Sequence, residues 1–97
     1  MVVLNVTFYM KEGKKAADLL NELESGGFAP YSRMEQGNIC YRYFYPADGE
    51  NILFLLEKWE NADVLKAHMH TENFARMGEV TNEYAENTEL KIYNADE

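Results

Sequence analysis

The sequence predicts an α+β fold built on one antiparallel four-stranded sheet, and three observations carry that expectation. Apolar residues alternate with polar ones along the first ten positions, the period of a strand, and then recur at three- and four-residue spacing, the period of a helix. Switches of this kind continue along the chain and give the order β-α-β-β-α-α-β, that of a ferredoxin-like sandwich whose second helix is broken in two. Finally, the five-residue apolar run from Ile52 to Leu56 is far too short for a membrane span and suits a strand buried on both faces. In this topology the first and third strands are central, the place for the two most apolar strands of the chain.

Val2 to Met10 is the expected first strand, with Val2, Leu4, Val6, Phe8 and Met10 on one face and Val3, Asn5, Thr7 and Tyr9 on the other. Gly13 breaks it. A helix is expected from about Lys14 to Ser25, because Ala16, Leu19, Leu20 and Leu23 form one apolar stripe, and Gly26-Gly27 supplies its stop. Phe28 to Gln36, which contains Pro30, reads as a connection. The second strand spans Asn38 to Tyr45, with Ile39, Tyr41, Tyr43 and Tyr45 on one face and Cys40, Arg42 and Phe44 on the other. Pro46-Ala47-Asp48-Gly49 is a turn signal leading into the third strand, on which Glu57 and Trp59 share a face.

Asn61 caps a short helix with Ala62, Leu65 and Met69 as its inner stripe and His68 on the flank. A further helix spans about Glu72 to Glu86 and buries Phe74, Met77, Gly78 and Thr81; the last strand runs from about Thr88 to Asn94. The helices can cover only one face of the sheet. Leaving Ile52, Phe54 and Leu56 in water on the other would forfeit roughly 1.5–3 kcal/mol each, so a second copy is expected there, making a homodimer.

At 97 residues the chain is one domain, 1–97, and its net charge of −8 disfavours nucleic acid and anionic membranes as partners. Cys40 is the only cysteine, which rules out an internal disulfide and suits a reducing, cytoplasmic setting. The start MVVLNVTFYM lacks the basic residues of a signal peptide. No nucleotide-binding or zinc motif is present, and His68 and His70, two apart on a helix, do not face each other, so neither metal nor cofactor is expected.

Several residues are candidates for chemistry, each with a plain structural alternative. His68 is of the residue type whose unperturbed value suits acid–base work, or it is a half-buried histidine held by a backbone carbonyl. Trp59 is a stacking wall for an aromatic ligand or simply core. Glu57 orients a histidine or arginine, or makes a strand-end salt bridge. Asn5, polar in a central strand, bonds a substrate oxygen or a neighbouring side chain. Asn73 and Phe74 would line a cavity mouth. Tyr9 belongs to an aromatic set with Tyr41, Tyr43 and Tyr45, suited to sheet packing and a dimer rim.

Glu57, Trp59, Glu60, Ala67, His68, Thr71 and Phe74 stand in the order E-x-W-E…A-H-x-x-T-x-x-F. This pattern resembles the antibiotic biosynthesis monooxygenase family, small dimeric α+β barrel proteins. Two positions depart from it: Asn73 stands where many members carry a second histidine, and Glu72 replaces a proline. The resemblance implies two sheets packed face to face and a cofactor-free monooxygenase acting on a small phenolic or quinol substrate. It casts Asn5, Trp59 and His68 as positioning donor, wall and acid/base, with Glu57, Asn73, Phe74 and Tyr9 around the substrate. A non-catalytic ligand-binding or interaction dimer, or a sugar-phosphate isomerase-like enzyme, is the alternative. Haem is not expected, because the positions that hold it in some relatives fall on Val6, His68 and Gly78.

Overall fold

The structure, a computed structural model, describes residues 1–95. Strand β1 (Val2–Met10) alternates buried and half-exposed residues along its whole length, as its sequence pattern dictates. It lies between β3 (Ile52–Trp59) and β4 (Ala85–Asn94), while β2 (Asn38–Phe44) forms the other edge, so the sheet runs β2-β3-β1-β4 with every pair antiparallel. The first and third strands are central, as expected. Helices α1 (Ala16–Ser25), α2 (Phe28–Met34), α3 (Ala62–Met69) and α4 (Glu72–Tyr84) cover one face.

The core sits between that face and the helices. Leu4, Val6 and Phe8 of β1 and Leu53 and Leu55 of β3 meet Leu19 and Leu23 of α1 and Met77 of α4. Asn61 caps α3, its side chain accepting the Val64 N–H at 3.0 Å, and Thr71 caps α4 in the same way through the Phe74 N–H at 3.1 Å. No helix among the described residues is long and apolar enough to cross a membrane.

The structure departs from the sequence reading at several places. Strand β4 begins at Ala85 and not at about Thr88, and α4 buries Met77 and Thr81 but leaves Phe74 and Gly78 exposed. Three further differences concern the elements that frame the site. The stretch from Phe28, expected as a connection, is helix α2, so the order is β-α-α-β-β-α-α-β. Pro30 is its third residue, inside the first turn, where a backbone N–H has no intrahelical acceptor and proline removes nothing. Gly27 enters it at φ 85°, and Ala29 and Ser32 are its buried residues. Secondly, α3 buries Leu65 and His68, leaves Ala62 exposed and holds Met69 part-exposed at the wall of a cavity, because a histidine with a polar partner inside can take an inner position. Thirdly, a register shift between Asn38 and Cys40 interrupts the alternation of β2 and leaves Ile39 exposed, while Tyr41 is buried.

The other sheet face carries Val3, Asn5, Thr7 and Tyr9 from β1 and Ile52, Phe54 and Leu56 from β3, all half-exposed in the single chain. Beyond Ala85, β4 is exposed on both faces, with Leu90 and Ile92 turned to the helix side and Tyr93 to the other.

Candidate functional site

Between the helix side of the sheet and helices α3 and α4 lies a cavity of about 240 Å³. Its floor is Leu4, Val6 and Phe8 of β1 with Leu55 of β3; Leu65, Phe74 and Met77 face them from the helices. Apolar walls dominate because each element turns its apolar stripe this way. Exposed Asn82 and Leu90 mark the mouth, and the nearly inaccessible Glu57 and His68 mark the inner end, together with the phenol-bearing Tyr41 and Tyr43.

His68 is 1% exposed. Its ring lies 4.6 Å from that of Trp59, centroid to centroid, and meets Phe74 edge-on at 5.2 Å and Tyr41 at 6.1 Å. Both ring nitrogens face carboxylates. Nδ1 is 2.7 Å from Oε1 of Glu35, and Nε2 is 4.0 Å from Oε1 of Glu57. An ionised carboxylate can only accept, so a hydrogen bond to Glu35 requires the proton on Nδ1. In the neutral ring Nε2 is then the proton acceptor, on the side of Glu57.

Glu57 is buried and accepts the indole N–H of Trp59 at 3.0 Å. Burial pushes its carboxyl above the ordinary value; the Trp59 hydrogen bond and the charge of His68 oppose that, and Glu35 adds to it. Burial likewise pushes the Tyr41 and Tyr43 phenols up, which keeps them neutral hydroxyls. Because its folded pKa is raised, Glu57 holds a proton in the native state through a window where the unfolded chain has released it. Stability therefore falls as pH rises from the ordinary carboxylate value through the raised one. Glu57→Gln keeps an oxygen for Trp59 and loses the titration. Its melting temperature relative to wild type is expected to rise as pH climbs above the ordinary carboxylate value; a difference that stays flat across thermal melts at a series of pH values would show that Glu57 does not titrate in this way.

Of the residues singled out in the sequence, His68, Glu57 and Phe74 line the cavity together. Trp59 is fully buried beneath His68 and is a support for that ring more than a wall of the cavity. Asn73 uses its amide Nδ2 to bond the Phe28 carbonyl at 3.1 Å and the Ser32 hydroxyl at 3.4 Å, fastening α4 to α2. Asn5 and Tyr9 lie on the opposite face of the sheet, since they alternate with the floor residues Leu4, Val6 and Phe8. Asn5 sits opposite Leu56 and Lys91, and the Tyr9 hydroxyl donates to Glu89. His70 is exposed, with Nδ1 at 2.7 Å from the Lys66 carbonyl. Glu35 escaped the sequence reading: it follows α2 in a turn without periodicity and is 33 residues from His68, and no local signal marks it.

The sequence pattern of the antibiotic biosynthesis monooxygenase family matches residues 1–80. The "Putative monooxygenase YcnE" of Bacillus subtilis (strain 168) is 34% identical over 74 residues, spanning 76% of this chain and 75% of that protein. Among solved structures, a conserved protein from Methanosarcina mazei Go1 superposes with a TM-score of 0.86 at 22% identity, covering 98% of this chain and 92% of that one. A structure described as an antibiotic biosynthesis monooxygenase gives a TM-score of 0.82 at 19% identity over 100% of both chains. At those identities the two superpositions speak for the fold.

Proposed function

The chain belongs to the antibiotic biosynthesis monooxygenase family, and from that membership we propose that it oxidises a small, uncharged phenol or quinol with O2, without a cofactor, in the cavity between sheet and helices. One observation carries the reading: in an apolar cavity, a histidine held at Nδ1 by Glu35 keeps Nε2 as a proton acceptor at the buried end. A base there takes the hydroxyl proton of the substrate, and dry walls leave the resulting anion poorly solvated and electron-rich. That anion reduces O2. For a hydroquinone the balance is hydroquinone plus O2 giving a hydroxyquinone plus water: one oxygen atom enters the ring, the other leaves with the two hydrogens lost, and the substrate supplies all the electrons. His68 holds the first of those protons and returns it to the departing oxygen. The neutral Tyr43 hydroxyl is a hydrogen-bond donor for the oxygen of the bound anion, while the Tyr41 hydroxyl donates to Met77 Sδ at 3.5 Å.

Charge selects the substrate class. No lysine or arginine is among the residues lining the cavity, and its polar end holds the acid Glu57. Sugar phosphates and carboxylated aromatics lack a counter-ion there, which argues against the isomerase-like alternative. The test is oxygen uptake with a panel of neutral hydroquinones and polyphenols alongside phosphorylated and carboxylated analogues, each against its autoxidation in buffer. Uptake above background is expected only with neutral members. No rate above background with any member leaves a ligand-binding dimer as the function.

The same reading includes a second copy of the chain. Ile52, Phe54 and Leu56 remain half-exposed on the face without helices, and β4 is an open edge. Size exclusion with light scattering is expected to give a dimer mass at micromolar concentration; a monomer that does not self-associate would remove the barrel. A single cysteine, half-buried and unpaired, suits work in a reducing cytoplasm.

A further inference from the structure

We propose that Glu35 is the positioning residue of this site: it locks the imidazole of His68 as the Nδ1–H tautomer, so that Nε2 is the base and the charge gained with the proton is balanced at once. The proposal rests on the reading of His68 as the base. Its geometric ground is the 2.7 Å contact between Oε1 of Glu35 and Nδ1 of His68, with the Glu35 side chain only 14% exposed. A hydrogen bond at that distance, shielded from water, decides which nitrogen is free.

The surrounding structure holds Glu35 at this point. Its N–H donates to the Ser32 carbonyl and its carbonyl accepts from Asn38 N–H, both at 3.2 Å, which fixes the turn from α2 into β2. Two residues on, Gly37 has φ +83°, and a Cβ there would lie 2.6–2.7 Å from side-chain atoms of Val64. The turn therefore lies directly against α3 one helical turn before His68, a closeness that only glycine permits. The Gly37 carbonyl also accepts the Glu60 N–H at 2.9 Å, joining the turn to the end of β3 that carries Glu57 and Trp59. Carboxylate and imidazole thus stand on two segments clamped together by backbone.

Glu57 does not play this part. It stands 4.0 Å from the other nitrogen, beyond hydrogen-bond range, and its oxygen is engaged by Trp59.

The experiment needs no substrate. With His70→Gln as background, His68 is the only histidine, and long-range ¹⁵N–¹H spectra at about pH 9, well above the ordinary imidazole value, report which nitrogen bears the proton. The Nδ1–H form is expected in this background, and the Nε2–H form is expected to appear in Glu35→Ala. A proton on Nε2 with Glu35 in place, or an unchanged tautomer in Glu35→Ala, overturns the proposal. Should Glu35→Ala fail to give a dispersed spectrum, Glu35→Leu replaces the carboxylate with an apolar group of similar bulk and the same outcomes apply. Kinetics supply the second arm: Glu35→Ala is expected to lower kcat by on the order of 10²-fold or more, as for an orienting carboxylate in a histidine pair, with KM within a few-fold. Wild-type kcat in that variant overturns the proposal. If no phenol is oxidised by wild type, the oxidation reading fails while the spectra still decide on Glu35.

Discussion

Replacing His68 with alanine is expected to lower oxygen uptake with a neutral quinol by on the order of 10²–10⁴-fold, the range for loss of general acid–base catalysis. Among the residues lining the cavity, His68 is the one whose ordinary pKa lies near neutrality. Tyr41 and Tyr43 are pushed away from neutrality by burial, and Glu57 is tied to Trp59. Alanine also leaves Glu35 without its partner, so His68→Gln is the companion variant: it retains a polar side chain beside Glu35 and cannot titrate. Both are expected to keep the wild-type mass by light scattering and to lose rate. His70→Ala is expected to do little, since His70 is exposed and bonds only its own helix. Uptake by His68→Gln equal to wild type would remove His68 from the chemistry and leave the cavity as a binding site.

Trp59→Ala carries the largest expected effect on stability. The side chain is fully buried, at 0% exposure, beneath His68 and at the end of a central strand. Deleting a buried tryptophan costs about 3–5 kcal/mol through lost transfer energy and the void left behind. Glu57 loses the indole N–H as well, and an abandoned buried acceptor adds about 1–3 kcal/mol. Against a total of about 5–15 kcal/mol for a domain, the variant should be largely unfolded or melt more than about 10 °C lower. Trp59→Phe refills most of the space without the donor and should lose much less. Melts at one fixed protein concentration separate the two, because a dimer's melting point depends on concentration. A Trp59→Ala protein within about 1 kcal/mol of wild type would mean that the site's foundation lies elsewhere.

Much of the molecule is written locally. Alternation along Val2–Met10 and the two-sided run from Ile52 to Leu56 determine strands, and their apolarity sends both to the centre of the sheet. The stripe through Leu19 and Leu23 and the Asn61 cap determine helices, since spacing and capping depend only on near neighbours in the chain. The family pattern, centred on Glu57, Trp59 and His68, is equally local. Helix α2 was hidden because Pro30 is a breaker in the interior of a helix and harmless in its first turn, and only docking shows which applies.

The site itself was decided by tertiary structure. Alternation separates Asn5 from Leu4 and Val6, yet it does not say which face the helices will cover; their docking put Asn5 and Tyr9 away from the cavity. Glu35 has no periodicity to betray it, being one acid of seventeen acidic residues, on a turn. It meets His68 only because Gly37 lets that turn close onto α3 beside Val64. Periodicity records which side of an element is buried, whereas a hydrogen bond between residues 33 apart exists only after two elements have packed.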